Sequence, residues 1–205
     1  LKKKFRILLL ILLIVALAVC GFLAYKQMGG KKQVKEAKVV GEIKEYGYKL
    51  KDNKPAAYKK MFEELKEILE ADKVDEEAYA KKISEMFVYD FYSLKGKVSK
   101  TDIGGVDFVH PDALENFLTN AQDTYYKYVE NNIYVNRKQS LPVVTNISID
   151  NVKQEAFEYG DKSDDKAYFV DVSWSYSDSQ FSDNQNKATL IFVHDDIKLY
   201  LVELQ

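Results

Sequence analysis

Residues 168–176 read YFVDVSWSY, a stretch in which apolar and polar side chains alternate. A β-strand turns successive side chains to opposite faces of a sheet, so this alternation predicts a strand with one apolar face. The apolar face carries Tyr168, Val170, Val172, Trp174 and Tyr176. The opposite face carries Asp171, Ser173 and Ser175. This part of the chain is therefore expected to form a sheet.

The neighbouring segments extend that sheet in both directions. Residues 143–149 follow Pro142 with the same period of two, and the pattern continues with a bulge to Tyr159. Residues 188–194 predict a third strand, Asp195-Asp196 a tight turn, and residues 197–204 a fourth strand that pairs back. Together these segments predict about four antiparallel strands.

Three amphipathic helices precede the predicted strands. The first opens at Pro55, the second begins near Asp75, and the third begins at His110-Pro111 and continues to Val129. Helices that come before a sheet indicate an α+β fold. We expect the three helices to pack on one face of a curved antiparallel sheet.

The apolar stretch ILLLILLIVALAVCGFLAY occupies residues 7–25 and contains no charge. Nineteen helical residues reach about 28 Å, close to the hydrocarbon thickness of a bilayer, so the stretch predicts a transmembrane helix. Two alternatives are a cleaved signal peptide and a lipoprotein signal around Cys20. The apolar core is long for a cleaved signal, and Val19 stands where a lipoprotein has a small residue. An uncleaved anchor is therefore favoured.

Basic residues flank both ends of this stretch, so the positive-inside rule alone does not choose an orientation. A short basic tail is hard to translocate, which favours a cytoplasmic N-terminus and a C-terminal domain outside the cell membrane. Lysine makes up 28 of the 30 basic residues, which is typical of a low-GC bacterium. The predicted organisation is a cytoplasmic tail (1–6), a transmembrane helix (7–25), a basic linker (26–54) and an extracytoplasmic α+β domain (55–205).

The formal net charge of −2 hides an asymmetry along the chain. Residues 26–60 contain eleven lysines and four acidic residues, whereas residues 61–205 carry a net charge of −13. An acidic domain repels a phosphate backbone, so nucleic acid is excluded as a partner. The basic linker is either solvated or lies against anionic headgroups or wall polymer, while residues 7–25 contact membrane lipid.

The order of an anchor at 7–25, helices from Pro55 and a meander ending at Gln205 resembles membrane-anchored members of the nuclear-transport-factor-two-like superfamily. Assembly factors of type IV secretion and of Gram-positive conjugation channels are such members. The resemblance covers residues 55–205 and implies a cone of helices and curled strands around an apolar cavity. The superfamily has no universal catalytic residues, so the resemblance assigns no role to any residue here.

Asp90 is one candidate site residue, because it lies in the apolar segment FVYDFY at residues 87–92. A buried carboxyl group has a raised pKa unless it is paired, and such a group can serve as an acid in a cavity. The alternative is a carboxylate that is paired with lysine or tyrosine, or that faces water. Pairing is favoured, because perturbed acids also occur in structural networks.

Trp174 and Tyr176 are the other candidates for contact with a ligand or partner, although alternating aromatic residues more often form sheet core. His110 and His194 are the only histidines, and each adjoins aspartate. They have no metal-ligand spacing, so a helix cap at His110 and a strand end at His194 are favoured over a metal site. Neither a cofactor site nor a catalytic motif is indicated.

Two classes of function agree with these patterns. The first is a non-catalytic protein-interaction domain that scaffolds a bacterial envelope, conjugation or secretion assembly, through other envelope proteins or self-association. The second is binding of a small apolar ligand, or enzyme activity, in the cavity of the cone. The first is favoured, since the sequence offers so little chemistry.

Overall fold

The computed structural model describes residues 13–23 and 33–205 of the chain. These residues fall into two compact units. The smaller unit contains residues 13–23 and 33–35 together with Asn132–Arg137. The larger unit contains Glu36–Asn131 and Lys138–Gln205.

Local hydrogen bonds hold the described part of the smaller unit. Residues 13–23 form a helix, α1. The N–H of Val34 donates to the carbonyl of Ile133 at 2.9 Å, and the N–H of Arg137 donates to the side-chain oxygen of Asn132 at 2.9 Å. These two bonds fix the turn at 132–137, in which Val135 adopts a φ of 52°.

The predicted transmembrane helix requires a correction. Among residues 13–23 and 33–205, no helix is both long and apolar enough to cross a membrane. The predicted tail at 1–6, residues 7–12 and 24–25 of the predicted span, and residues 26–32 of the linker lie outside the described residues.

The larger unit contains helices and two separate sheets. A two-stranded antiparallel hairpin comes first, and a four-stranded antiparallel sheet of order β3-β4-β5-β6 comes last. The strands are β1 (Val39–Ile43), β2 (Tyr48–Lys51), β3 (Val144–Tyr159), β4 (Lys162–Tyr176), β5 (Lys187–Asp195) and β6 (Lys198–Leu204). The helices are α2 (Ala56–Leu69), α3 (Glu76–Tyr92) and α4 (Pro111–Asp123), with 3₁₀ turns at Val106–Phe108 and Ser179–Phe181.

The α+β class and the predicted meander of four strands are confirmed. The register pairs β3 with β4, β4 with β5 and β5 with β6, all antiparallel. The predicted bulged strand from residue 143 to residue 159 is the single strand β3, whose pairing with β4 shifts register at three places. The tight turn at Asp195-Asp196 joins β5 to β6, and Asp196 adopts a φ of 56°.

The packing of all helices on a single sheet is wrong. Helix α2 packs against α3, and α3 in turn contacts strands β3 and β4 of the large sheet. The β1–β2 hairpin packs on this helical layer, since Gly41 lies beside Leu50 and the ring of Phe62 in α2. A hydrogen bond of 2.7 Å joins the hydroxyls of Tyr48 in β2 and Tyr79 in α3. The helices therefore lie against two sheets.

The third helix is also shorter than predicted. Helix α4 ends at Asp123, because Thr124 leaves helical geometry with φ −116° and ψ −97°. The N–H of Tyr126 then reaches back to the carbonyl of Ala121 at 2.9 Å. This wide turn buries the Tyr126 side chain, whose hydroxyl donates to the carbonyl of Phe91 at 2.6 Å.

The bend at Gly104-Gly105 requires glycine for steric reasons. Gly105 has a φ of 75°, and a Cβ there would lie 2.6 Å from Cδ2 of Phe87. We predict that Gly105→Ala lowers the free energy of unfolding by about 3 kcal/mol, through the left-handed backbone and the overlap with Phe87. Urea denaturation measures the loss.

Gly96→Ala is the matched control, because a Cβ at Gly96 meets nothing within 4 Å. Its expected effect stays within about 0.5 kcal/mol of the wild-type value. Equal urea midpoints for the two variants would contradict the steric argument.

Candidate functional site

An open cleft of about 420 Å³ lies between helix α4 and strand β6. Small-molecule sites in proteins have comparable volumes, from about 300 to 1,000 Å³. Its lining combines apolar and aromatic side chains with polar ones, of which Glu203 is acidic: Phe91, Tyr92, Val109, Ala113, Asn116, Phe117, Asn120, Ala121, Thr124, Tyr125, Gln185, Leu201, Val202, Glu203 and Leu204. This composition is typical of a binding site.

The start of α4 explains why the cleft opens there. Val109 forms a parallel bridge with Leu201 in β6, and the N–H of His110 donates to the carbonyl of Leu201 at 2.8 Å. Pro111 then opens α4, and the imidazole Nδ1 of His110 accepts from the N–H of Asp112 at 3.1 Å. The chain therefore leaves the sheet edge at Pro111, with the cleft between α4 and the remainder of β6.

Aromatic rings in edge-to-face contact form the floor of the cleft. The ring of Tyr92 lies 5.1 Å from that of Tyr125 and 4.9 Å from that of Phe91, measured between centroids. Behind Tyr92, the indole of Trp174 lies 4.3 Å away. Such contacts stabilise a rigid surface. The floor is therefore held in shape before any partner arrives.

The phenols of the floor act as hydrogen-bond donors. Burial raises the pKa of Tyr92 and of Tyr125 well above the usual range, and for Tyr125 a hydrogen bond with Tyr176 adds to the effect. Both phenols therefore stay protonated at neutral pH. The hydroxyl of Tyr125 donates to the carbonyl of Tyr92 at 3.0 Å.

Two buried polar atoms near the cleft have no hydrogen-bond partner among the described residues, namely the hydroxyl of Tyr92 and Nε1 of Trp174. A buried polar group without a partner costs about 1–3 kcal/mol. Since Tyr92 lines the cleft, its unpaired hydroxyl lies directly behind the surface of the cleft.

The polar part of the lining is neutral on α4 and carries one charge on β6. Asn116 and Asn120 lie one helical turn apart and are exposed, and within the described residues neither carboxamide makes a side-chain hydrogen bond. Among the described lining residues, Glu203 carries the one formal charge at neutral pH. The cleft is therefore suited to a neutral or cationic partner.

The structure brings two of the three predicted site residues to the back of this cleft. Trp174 is 4 % exposed and belongs to the sheet core, as the alternative interpretation predicted. Tyr176 is half-buried, and its hydroxyl donates to the carbonyl of Gln185 at 2.6 Å. Neither side chain lines the cleft itself, but each touches a residue that does. Their part in contacting a ligand or partner stays a prediction.

Asp90 lies away from the cleft, in a cluster of charges. Its Oδ1 accepts from Nζ of Lys54 at 2.7 Å and from Nζ of Lys97 at 2.9 Å. Its Oδ2 accepts from the N–H of Gly105 at 2.9 Å. Burial alone would raise the pKa of Asp90, but the two ammonium groups and the Gly105 N–H outweigh burial and hold the pKa well below its usual range.

The pKa of Asp90 is lowered, whereas a functional acid would need a raised pKa, and its part in contacting a ligand or partner stays a prediction. The alternative, a carboxylate paired with lysine, is confirmed. The cluster ties the loop before α2 (Lys54) and the loop around Gly105 to α3 (Asp90). Its evident role is structural.

The histidines lie apart and have separate partners. His110 caps α4, as predicted. His194 lies in β5, where Nδ1 is 2.7 Å from Oδ2 of Asp164 and Nε2 is 3.6 Å from Oε2 of Glu76. No group of three or more histidine, cysteine, aspartate or glutamate residues suited to a metal ion occurs within residues 13–23 and 33–205.

No protein-family model, curated protein or solved structure matches this chain. The resemblance to the nuclear-transport-factor-two-like superfamily therefore stays a prediction. Sequence reasoning missed the polar residues of the cleft, although a signal existed. Asn116 and Asn120 lie beside the apolar stripe of the third predicted helix, at the spacing of one turn.

The Asp90 cluster yields a prediction about stability. Asp90→Asn removes the carboxylate that contacts both Lys54 and Lys97 in a mostly buried position, where the Asp90 side chain is 13 % exposed. We expect the free energy of unfolding at pH 7 to fall by about 3 kcal/mol. Urea denaturation measures this, with Asp72→Asn as the matched control at an exposed loop position.

The same variant has a predictable pH dependence. The pKa of Asp90 is lower in the folded chain than in the unfolded chain, so its contribution is complete above the unfolded value of about 3.9 and is lost as the pH falls below it. The difference in stability between wild type and Asp90→Asn should therefore shrink below about pH 4. A difference that stays constant from pH 7 to pH 2.5 would contradict this assignment.

Proposed function

We propose that this chain is a non-catalytic interaction domain that binds a partner in the cleft between α4 and β6. The observation that supports it best is the cleft itself, which has a volume of about 420 Å³, a floor of aromatic rings in edge-to-face contact and two exposed carboxamides on one wall. A preformed apolar surface with a few well-placed polar groups is the usual form of a binding site.

The side chains of the cleft favour binding over catalysis. The titratable groups among its described lining residues are Tyr92, Tyr125 and Glu203. The two phenols are held protonated by burial, so they do not accept protons. An acid–base pair would need two groups with pKa values set apart on either side of neutrality. Glu203 instead accepts a 2.7 Å hydrogen bond from the side chain of Gln205.

The partner that we propose is another protein of a bacterial envelope, conjugation or secretion assembly, in which this domain acts as a scaffold. This setting comes from the sequence alone, from its apolar and basic N-terminal residues and the acidic region that follows. Self-association through the same cleft is the other form of the proposal. In either form the binding energy comes from burying the aromatic floor.

Binding of a small apolar ligand is the second candidate, and the volume of the cleft favours it. Its location differs from the predicted one. Val170, Val172 and Trp174, on the apolar face of β4, are buried in the core. A small ligand would therefore bind in the cleft at α4 and β6.

The full chain should select peptides from a random peptide library displayed on phage, and Asn120→Phe should abolish their binding. A phenylalanine at this exposed position adds a ring to the wall of the cleft, and we expect affinity to fall at least tenfold. Trp174 is the only tryptophan in the chain and stacks on Tyr92, so its fluorescence reports binding of tryptophan-free peptides.

Thr119→Phe is the matched control, because Thr119 is the neighbouring exposed residue of α4 and does not line the cleft. Its affinity should equal that of the wild type within a factor of about two. If no peptide is enriched, or if both phenylalanine variants bind as the wild type does, the cleft is not the binding site and the proposal fails.

A further inference from the structure

We infer that the partner enters the cleft as an extended peptide segment, neutral or basic, that adds to the free edge of β6 beside α4. This inference rests on the proposed function and names the class of partner. Strand addition to a sheet edge is an established form of peptide recognition, in which main-chain hydrogen bonds give affinity and side-chain pockets give specificity.

The chain itself already uses this edge for an extended segment. Strand β6 ends the four-stranded sheet, so one of its edges faces away from β5. On that edge, Val109 forms a parallel bridge with Leu201, and His110 donates to the Leu201 carbonyl. The chain leaves the edge at Pro111, and the cleft lies along residues 201–204. A partner segment would continue the position that residues 109–110 begin.

The register of β5 and β6 shows which backbone groups remain for a partner. Thr189 and Gln205 exchange two hydrogen bonds of 3.0 Å, so they form a hydrogen-bonded pair. Leu204 lies opposite Leu190, one step along the antiparallel ladder, where neither residue bonds across to the other. The N–H and carbonyl of Leu204 therefore face the free edge, on the side of the cleft.

The spacing of the opposite wall fits an extended chain. Asn116 and Asn120 are four residues apart on α4, a rise of about 6 Å. Alternate residues of a strand repeat every 6.6 Å or so. The NH₂ of a carboxamide can donate to a peptide carbonyl, so two of them at this spacing can bond a peptide at successive equivalent positions.

The charge of the cleft selects among peptides. Glu203 is the one charged residue among its described lining residues, and residues 61–205 carry a net charge of −13. An acidic segment would be repelled on approach, whereas a neutral or basic one would not. The aromatic floor of Phe91, Tyr92 and Tyr125 provides the apolar contact for one or two side chains.

The test uses the peptides selected by the full chain, each remade with one backbone amide at a time methylated. N-methylation removes a single N–H donor while the side chains stay the same. Strand addition requires a loss of affinity of at least fivefold at the amide that donates to the Leu204 carbonyl, and no such loss at the amides on either side of it, because successive amides of a strand face opposite edges. A second measurement is hydrogen exchange of the Leu204 amide, which should slow at least tenfold on binding.

The outcomes separate this inference from the proposed function. Methylation that lowers affinity with a period of three to four residues, or not at all, would show that strand addition is wrong. If Asn120→Phe still abolishes binding in that case, the cleft remains the binding site. If Asn120→Phe has no effect, both are wrong. Selected peptides that are mostly acidic would overturn the charge argument. Displacement of peptide by small apolar compounds alone, without dependence on a backbone amide, would favour the small-ligand candidate.

Discussion

The burial of helix α3 is the constraint on which the larger unit depends. Nine of its seventeen residues are buried, at positions that include Tyr79, Ile83, Phe87, Val88 and Tyr92. At 100° per residue these positions cover an arc of about 240°, far wider than the stripe of a helix that lies on one surface. Such a helix must be enclosed from several sides. Helix α2, the β1–β2 hairpin and the large sheet together enclose it.

Tyr79 shows how the enclosing layers are joined. Its hydroxyl pairs with that of Tyr48 in the hairpin at 2.7 Å and accepts from the N–H of Leu199 in β6 at 3.3 Å. One side chain of α3 thus connects the small sheet to the edge strand of the large one. Burial raises the pKa of Tyr79 despite these hydrogen bonds, so the phenol stays protonated. A neutral bridge of this kind costs less to bury than an ion pair.

The sequence predicted the elements better than their packing. Period and cap residues located α2, α3 and the start of α4, as well as β3 to β6, because these are local properties of the chain. The single-sheet arrangement failed because an apolar stripe shows that a helix is buried, and not how many partners bury it. Ala80, Ser84 and Val88 lie outside the apolar stripe and are buried all the same.

The sequence predicted only part of the candidate site. Trp174 and Tyr176 lie behind it, whereas Asn116, Asn120 and Gln185 meet only through the fold.

The cleft exists because the chain changes from strand pairing to helix at residues 109–111. Val109 and His110 pair with β6 as a strand would, while Pro111, the capping imidazole of His110 and Asp112 begin a helix. A helix rises 1.5 Å per residue and a strand more than 3 Å, so α4 cannot follow the edge that its own first residues begin. The edge of β6 beyond Leu201 is left beside an aromatic floor and a helix wall. At this edge of β6 a partner segment can use both unpaired backbone groups and apolar area. We therefore place binding there.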